Sequence, residues 1–239
     1  MTRDEIALVF FGKSPVPGKV KTRLARTLGA SAAAALAEAF LRDGGRRYAG
    51  VPGCSPVLAA DDPSDPFWRS AFPPPWRIEA QGEGDLGDRL ARAFSREHRR
   101  FEKVAALGSD HPALPADGLS RLLAAANGVW PTRDGGYAAI VLSRSHASSR
   151  LFQDVEWSTS RVLAQTLARA AAAEIELARM PETYDVDEEE DLERLAADLA
   201  GRDPDAPDFP EHTWKALRAL GGAADRGPGT RAPDAAVRP

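Results

Sequence analysis

Residues 6–11, Ile-Ala-Leu-Val-Phe-Phe, form an unbroken apolar run with β-branched and aromatic members. A run this short with no polar alternation predicts a strand buried on both faces, as in a parallel sheet. Residues 56–60, 104–107 and 137–142 repeat the pattern, and 77–80 and 174–177 predict two weaker strands. Between them, apolar positions recur at helical spacing. An alanine-rich helix is expected over 31–48 with Ser31 as its cap. A second runs over 86–101, carried by Leu86, Leu90, Ala93 and Phe94. Further helices are expected over 118–127, stopped by Asn127 and Gly128, over 159–173 and over 188–200. Residues 67–76 hold three consecutive prolines and predict irregular chain. Strands alternating with helices imply an α/β domain over residues 1–200, with a mostly parallel central sheet and helices on both faces. From Gly201 the composition turns to Asp, Pro and Gly. Residues 201–239 are therefore expected to form a largely disordered tail, with one short helix at 211–220.

Composition narrows the function classes. The chain has 239 residues with 31 basic and 35 acidic side chains, a formal net charge of -4, which argues against a general nucleic-acid binder. A single cysteine, Cys54, excludes an internal disulfide and a cysteine-rich zinc site. His98, His111, His146 and His212 are scattered without zinc-ligand spacing. The first apolar run is too short for a signal-peptide core and follows Asp4 and Glu5. No stretch reaches the ~18 apolar residues of a membrane span. A cytoplasmic protein without a membrane or nucleic-acid partner is expected.

Candidate chemistry gathers where predicted strands end, the edge at which open parallel sheets bind ligands. Directly after the first strand, residues 13–24 carry Lys13, Gly18, Lys19, Lys21, Thr22 and Arg23. Cations and free backbone N–H groups make a phosphate cradle, and Arg23 can grip phosphate oxygens bidentately. The loop lacks the Gly-Lys-Ser/Thr ending of a Walker A motif, and a solvated basic loop is the plainer alternative. After the 104–107 strand, Gly108-Ser109-Asp110-His111-Pro112 puts a carboxylate where it could hold Mg²⁺. Asp110 could equally cap a turn, and His111 reads as a turn residue or a donor behind the ligands rather than a ligand itself. In Tyr184-Asp185-Val186-Asp187, followed by Glu188, Glu189, Glu190 and Asp191, the later acids suit a helix N-terminus. Asp185 or Asp187 could complete a metal site with Asp110. Residues 81–89 formally match Gly-x-Gly-x-x-Gly through Gly82, Gly84 and Gly87. They follow a third strand and carry Glu83 and Asp85, so a tight loop beside a nucleotide fits better than a dinucleotide fingerprint, with Gln81 able to pair with a base edge. Asp134-Gly135-Gly136 predicts a sharp turn that could admit a substrate to the backbone. Ser158 or Thr159 could cap the helix behind Trp157.

Taken together and in order, these segments resemble a known family. They are Phe11 to Leu24, Gln81 to Arg89, Gly108-Ser109-Asp110-His111-Pro112, Asp134-Gly135-Gly136-Tyr137, Trp157-Ser158-Thr159, and Asp185-Val186-Asp187 with Asp191-Leu192. The family is that of the radical-SAM/selenodomain-associated transferases, also described as DUF2064 or arsenosugar-biosynthesis glycosyltransferase-like proteins. The resemblance runs from about residue 6 to 195. It implies the GT-A fold, the Rossmann-like fold of nucleotide-diphospho-sugar transferases. It also implies phosphate handling by Lys21 and Arg23, with Lys13 beside them, and Mg²⁺ or Mn²⁺ held by Asp110 and Asp187. The chain departs from the family's pattern at Pro131-Thr132-Arg133, where a Gly-Pro-Ala-like run is more usual, and this leaves the acceptor chemistry open.

The expected activity is metal-dependent group transfer from a nucleotide-activated donor to a small-molecule acceptor, with Lys21, Arg23 and the metal stabilising charge on the phosphates. Glycosyl transfer from a nucleotide sugar leads. Nucleotidyl transfer from a nucleoside triphosphate, with release of pyrophosphate, is the alternative, and a non-catalytic nucleotide-binding module is the rival from another class. Asp134 is the candidate to position the acceptor or act as its base. The sequence leaves the oligomeric state open.

Overall fold

The computed structural model describes residues 5–146 and 149–224. Seven strands form one sheet in the order β3-β2-β1-β4-β6-β5-β7. Four of them, β1 (Ile6–Gly12), β2 (Cys54–Ala60), β3 (Arg77–Ala80) and β4 (Lys103–Leu107), are mutually parallel. Strand β6 (Tyr137–Ser143) then pairs antiparallel with both β4 and β5 (Gly128–Pro131), and β5 pairs parallel with β7 (Ala178–Arg179). The expected α/β sheet is present, mostly parallel, with β6 as its reversed member.

The β1 run is buried on both faces, as its lack of alternation requires. Leu8 and Phe10 point to one side, where Phe10 meets Tyr48, Phe72 and Trp76 at ring-centroid distances of 5.3, 6.0 and 6.3 Å. Ala7 and Val9 point to the other, into a cluster with Val57, Leu90, Phe94 and Phe152. Helix α1 (Ala25–Leu28) and helix α2 (Ala30–Tyr48) follow β1. Helix α2 can lie close to the sheet because Gly44 faces Phe10, and a Cβ there would sit 2.5 Å from the Phe10 ring. Helix α4 (Leu86–Glu97) packs in the second cluster, with Asp85 and Asp88 forming its capping box.

Several local expectations need correction. Ser31 is not a cap: α2 starts from Gly29, which has no side-chain cap. Residues 66–71 form a helix, α3, despite the neighbouring prolines, because Pro66 occupies its first turn and Asp65 accepts from the Phe67 N–H at 2.9 Å. Helix α5 runs Ala116–Ala124 and α6 runs Val162–Ala172. The strand expected at 174–177 is absent. The N–H groups of Glu174 and Ile175 are still bonded to Ala171 and Ala170 at the end of α6, so pairing with β5 begins only at Ala178. Helix α7 is Glu189–Ala200.

The tail is also more ordered than its composition suggests. Helix α8 spans Glu211–Ala224 and lies against α2. Phe209 is buried with Leu36, Phe40 and Leu195, and Trp214 packs on the same cluster. Buried Asp43 of α2 accepts the His212 and Thr213 N–H groups at 3.0 and 2.7 Å, which satisfies the start of α8. A few apolar anchors and one carboxylate thus fix a segment that is poor in large apolar residues. The disorder expected for residues 225–239 lies outside the described residues. Asp43→Ala is expected to cost about 1–2 kcal/mol of stability. Urea unfolding checks the loss, and hydrogen exchange should show the α8 amides losing protection ahead of the sheet.

Candidate functional site

The parallel pairing of β1 with β4 brings the loops that follow them side by side, since Phe10 is in register with Leu107. The segment entering α7 crosses the same edge: the Val186 N–H donates to the Asp110 carbonyl at 3.0 Å, and His111 Nδ1 lies 3.0 Å from the Tyr184 carbonyl. Burial lowers the His111 pKa, which favours a neutral ring donating from Nδ1. Val186 itself is fully buried, so the acids on either side of it are held at the rim.

Lys21 joins the three segments. Its side chain is 5% exposed, and Nζ lies 2.5 Å from Asp110 Oδ1, 3.0 Å from Asp187 Oδ1 and 2.7 Å from the Val186 carbonyl. Three acceptors match the three N–H donors of an ammonium. The Phe40 ring lies 5.6 Å from Nζ. Burial opposes the charged form, but Asp110 and Asp187 outweigh it and hold the Lys21 pKa above its usual value. Lys21 sits at φ 45, a left-handed conformation that costs a non-glycine residue on the order of 1 kcal/mol. Asp187 feels burial too, yet the Lys21 ammonium keeps its carboxyl below the usual range. Asp185 behaves oppositely: burial, with the charge of Asp134 next, pushes it up to about 6. Of the two acids, Asp187 and not Asp185 shares Lys21 with Asp110.

The other loop cations surround this centre. Lys13 Nζ donates to the Lys19 carbonyl at 2.8 Å, closing the loop across Gly18, which has φ 80. Lys13, Gly18, Lys19, Thr22 and Arg23 are all exposed. Arg23 lies 3.6 Å from Glu188, with both side chains about two-thirds exposed, a pairing weak enough to be exchanged for a ligand. Sequence reasoning missed the anchor of this loop. Asp61, just past β2, accepts from the Ser14 N–H at 2.8 Å and from its hydroxyl at 3.2 Å. An acid at the end of a strand adjacent to β1 was the available signal.

The other candidate residues are engaged in local structure. Gln81 is buried, and its Nε2 donates to the Gly12 and Ala59 carbonyls at 2.8 and 2.9 Å while Oε1 accepts from Arg89. Both amide hydrogens are used to hold strand ends, so the expected pairing with a base edge is corrected to a structural clamp. Gly87 is buried where α4 meets the Phe152 carbonyl and the Trp157 indole, which leave no room for a Cβ. Asp134 is exposed, and its Oδ1 accepts from the Thr132 hydroxyl at 2.5 Å and the Gly136 N–H at 2.9 Å. Its turn is stitched to the α7 entry by Arg133 N–H to the Thr183 carbonyl and Thr183 N–H to the Pro131 carbonyl. That is how Asp134 comes to influence Asp185. Thr159 accepts from the Arg161 N–H at 3.3 Å, a local turn rather than a cap on α6.

Two carboxylate oxygens converging on one cation are a hard donor set that suits Mg²⁺ or Mn²⁺, which take the rest of their ligands from phosphate and water. Among the described residues no group of three or more His, Cys, Asp or Glu side chains gathers to hold a metal without such help.

The raised Asp185 pKa has a sign that can be tested. The folded state binds its proton more tightly than the unfolded chain, so this group's contribution is full below about pH 4 and is lost as pH rises toward 6. Asp185→Asn is therefore expected to gain on the parent protein by about 1 kcal/mol between pH 4 and pH 7, after allowance for solvent screening. Paired thermal melts across that range would show it, and a constant difference would refute it.

Residues 45–159 match DUF2064, described as an uncharacterized protein conserved in bacteria. The match includes Asp110, Asp134 and Trp157 but neither the 13–24 loop nor Asp187. No curated protein matches the chain in sequence. The crystal structure of a candidate nucleotide-diphospho-sugar transferase from Desulfovibrio desulfuricans G20 is 26% identical, with a TM-score of 0.82 over 93% of this chain and 98% of that one. A cytidylyltransferase from Leptospira borgpetersenii is 12% identical, with a TM-score of 0.53 over 94% and 95% of the two chains. The 4-diphosphocytidyl-2C-methyl-D-erythritol synthase of Anaerococcus prevotii is 8% identical, with a TM-score of 0.52 over 82% and 98%. The last two show the shared fold alone. Among the described residues no helix is long and apolar enough to cross a membrane. Residues 45–159 are similar to the DUF2064 family, and the fold of the chain is that of the nucleotide-using transferases.

Proposed function

We propose that the protein is a metal-dependent glycosyltransferase that moves a sugar from a nucleotide donor to a small-molecule acceptor. The observation that carries the reading is the convergence of Asp110 and Asp187 on one cationic position, beside a loop that exposes Lys13, Lys19 and Arg23 at the ends of β1 and β4. Similarity to a candidate nucleotide-diphospho-sugar transferase over nearly the whole chain supports it. Asp110 and Asp187 would hold Mg²⁺ or Mn²⁺, which supplies a positive charge to a diphosphate leaving group.

The chain's own residues do the rest. Lys21 lies at the carboxylate pair, and Arg23 is exposed on the same loop beside Glu188, so both can neutralise phosphate charge as the bond to the sugar breaks. Lys13 braces the loop that presents them, and Ser14 ties it to Asp61. Asp134, exposed at the edge of the site on a turn that Thr132 and Gly136 fix, is placed to orient an acceptor hydroxyl. Arg133 is exposed beside it and suits an anionic acceptor.

The test is thermal stabilisation by nucleotide sugars and nucleoside triphosphates with Mg²⁺ or Mn²⁺, using Asp110→Ala and Arg23→Ala as controls. A matching donor at 100 times its dissociation constant should add about 2.7 kcal/mol. Asp110→Ala should remove the metal-dependent part. Arg23→Ala should weaken binding by about 1.5 kcal/mol, roughly tenfold. Stabilisation by a triphosphate alone would move the reading to nucleotidyl transfer, and indifference to every nucleotide would end it.

A further inference from the structure

We infer that the Asp110–Asp187 pair admits its metal only as a metal–polyphosphate chelate, because Lys21 holds the cation position until phosphate oxygens draw it away. This rests on the proposed function and deepens it by naming the ligand class: a nucleotide polyphosphate already chelated to a divalent ion, rather than the free ion.

Lys21 Nζ is within 3.0 Å of one oxygen of each carboxylate and also donates to the Val186 carbonyl, so all three of its N–H donors are used. Its side chain is 5% exposed, whereas those of Asp110 and Asp187 are 47% and 37% exposed. The ammonium thus fills the inner side of the pair while the outer side faces solvent. A bare divalent ion approaching from solvent would meet a carboxylate pair already half neutralised, and would be repelled by the ammonium within a few ångströms. Among the described residues no group of three or more ligating side chains gathers there to complete its shell. Mg²⁺ and Mn²⁺ sites of this kind depend on substrate phosphates for their remaining charge.

A polyphosphate changes both terms. It brings oxygens that complete the ion's coordination, and it offers Lys21 anionic acceptors in place of the two carboxylates. The surrounding loop is arranged to receive it. Lys13, Lys19 and Arg23 are exposed on the same segment, and the closest partner of Arg23 is the weak contact to Glu188. Lys21 can keep its bond to the Val186 carbonyl while exchanging the other two, so the exchange needs a side-chain movement and no rearrangement of the sheet. The consequence is an ordered site: free metal does not pre-load, and metal and phosphate enter together.

Equilibrium dialysis of Mn²⁺, with and without inorganic pyrophosphate as a base-independent probe, tests this on the full chain. The parent protein should retain Mn²⁺ at least tenfold more tightly when pyrophosphate is present. Lys21→Met, which keeps the unbranched apolar stem and removes the charge, should bind bare Mn²⁺ at least tenfold more tightly than the parent and lose most of the pyrophosphate enhancement. Lys21→Gln provides the same comparison if the methionine variant does not fold. Asp110→Asn should abolish retention in every background. Equal retention of Mn²⁺ by the parent with and without pyrophosphate overturns the inference. So does equal bare-metal affinity in parent and Lys21 variants, and if Asp110→Asn still removes that binding the metal-dependent reading survives. No retention by any form under either condition overturns both.

Discussion

One buried ammonium organises this molecule's open edge. Lys21 is 165 residues from Val186 in sequence, yet it ties the loop after β1, the loop after β4 and the entry to α7 into one unit. Desolvating a lysine is costly, and it is tolerated because two carboxylates and a carbonyl meet its three donors. Removing either acid would leave buried charge uncompensated, and removing the lysine would leave two carboxylates facing each other. The left-handed backbone at Lys21 is local strain sustained by that arrangement.

The fold makes the convergence possible. Parallel pairing of β1 and β4 sets their carboxyl ends side by side, which is the general reason such edges bind ligands. Around them, bonds of no evident chemistry hold the geometry. Asp61 pins Ser14, Gln81 ties the ends of β1 and β2, and His111 ties the Asp110 loop to Tyr184. The site therefore has a hydrogen-bonded floor and an exposed cationic rim: Lys13, Lys19 and Arg23 are exposed, while the groups beneath them are committed to one another.

The acidic residues show how environment divides similar side chains into different tasks. Asp187 lies on Lys21 and is held ionised, whereas Asp185, two residues earlier, is pushed up to about 6 by burial and by Asp134. Asp191 accepts from the Asp187 and Glu188 N–H groups and serves the start of α7. Asp43, on α2, caps α8. No sequence pattern separates these carboxylates, because each role is set by what lies across from it in space.

The sequence by itself determined what is local. Uninterrupted apolar runs at 6–11 and 137–142 could only be satisfied by burial on both faces, so these strands were legible. The ordered motifs at strand ends were legible too, because each is a contiguous string. Tertiary structure decided what depends on distant partners. It set β6 antiparallel, ended α6 with backbone bonds that delayed β7 to Ala178, and ordered α8 through Asp43 and Phe209. It spent the Gln81 amide on strand ends and chose Asp187 over Asp185 as the acid that shares Lys21 with Asp110. The physical reason is the same throughout. Periodicity reports how a residue relates to its neighbours along the chain, whereas a hydrogen bond or ion pair depends on which group the folded chain brings opposite it.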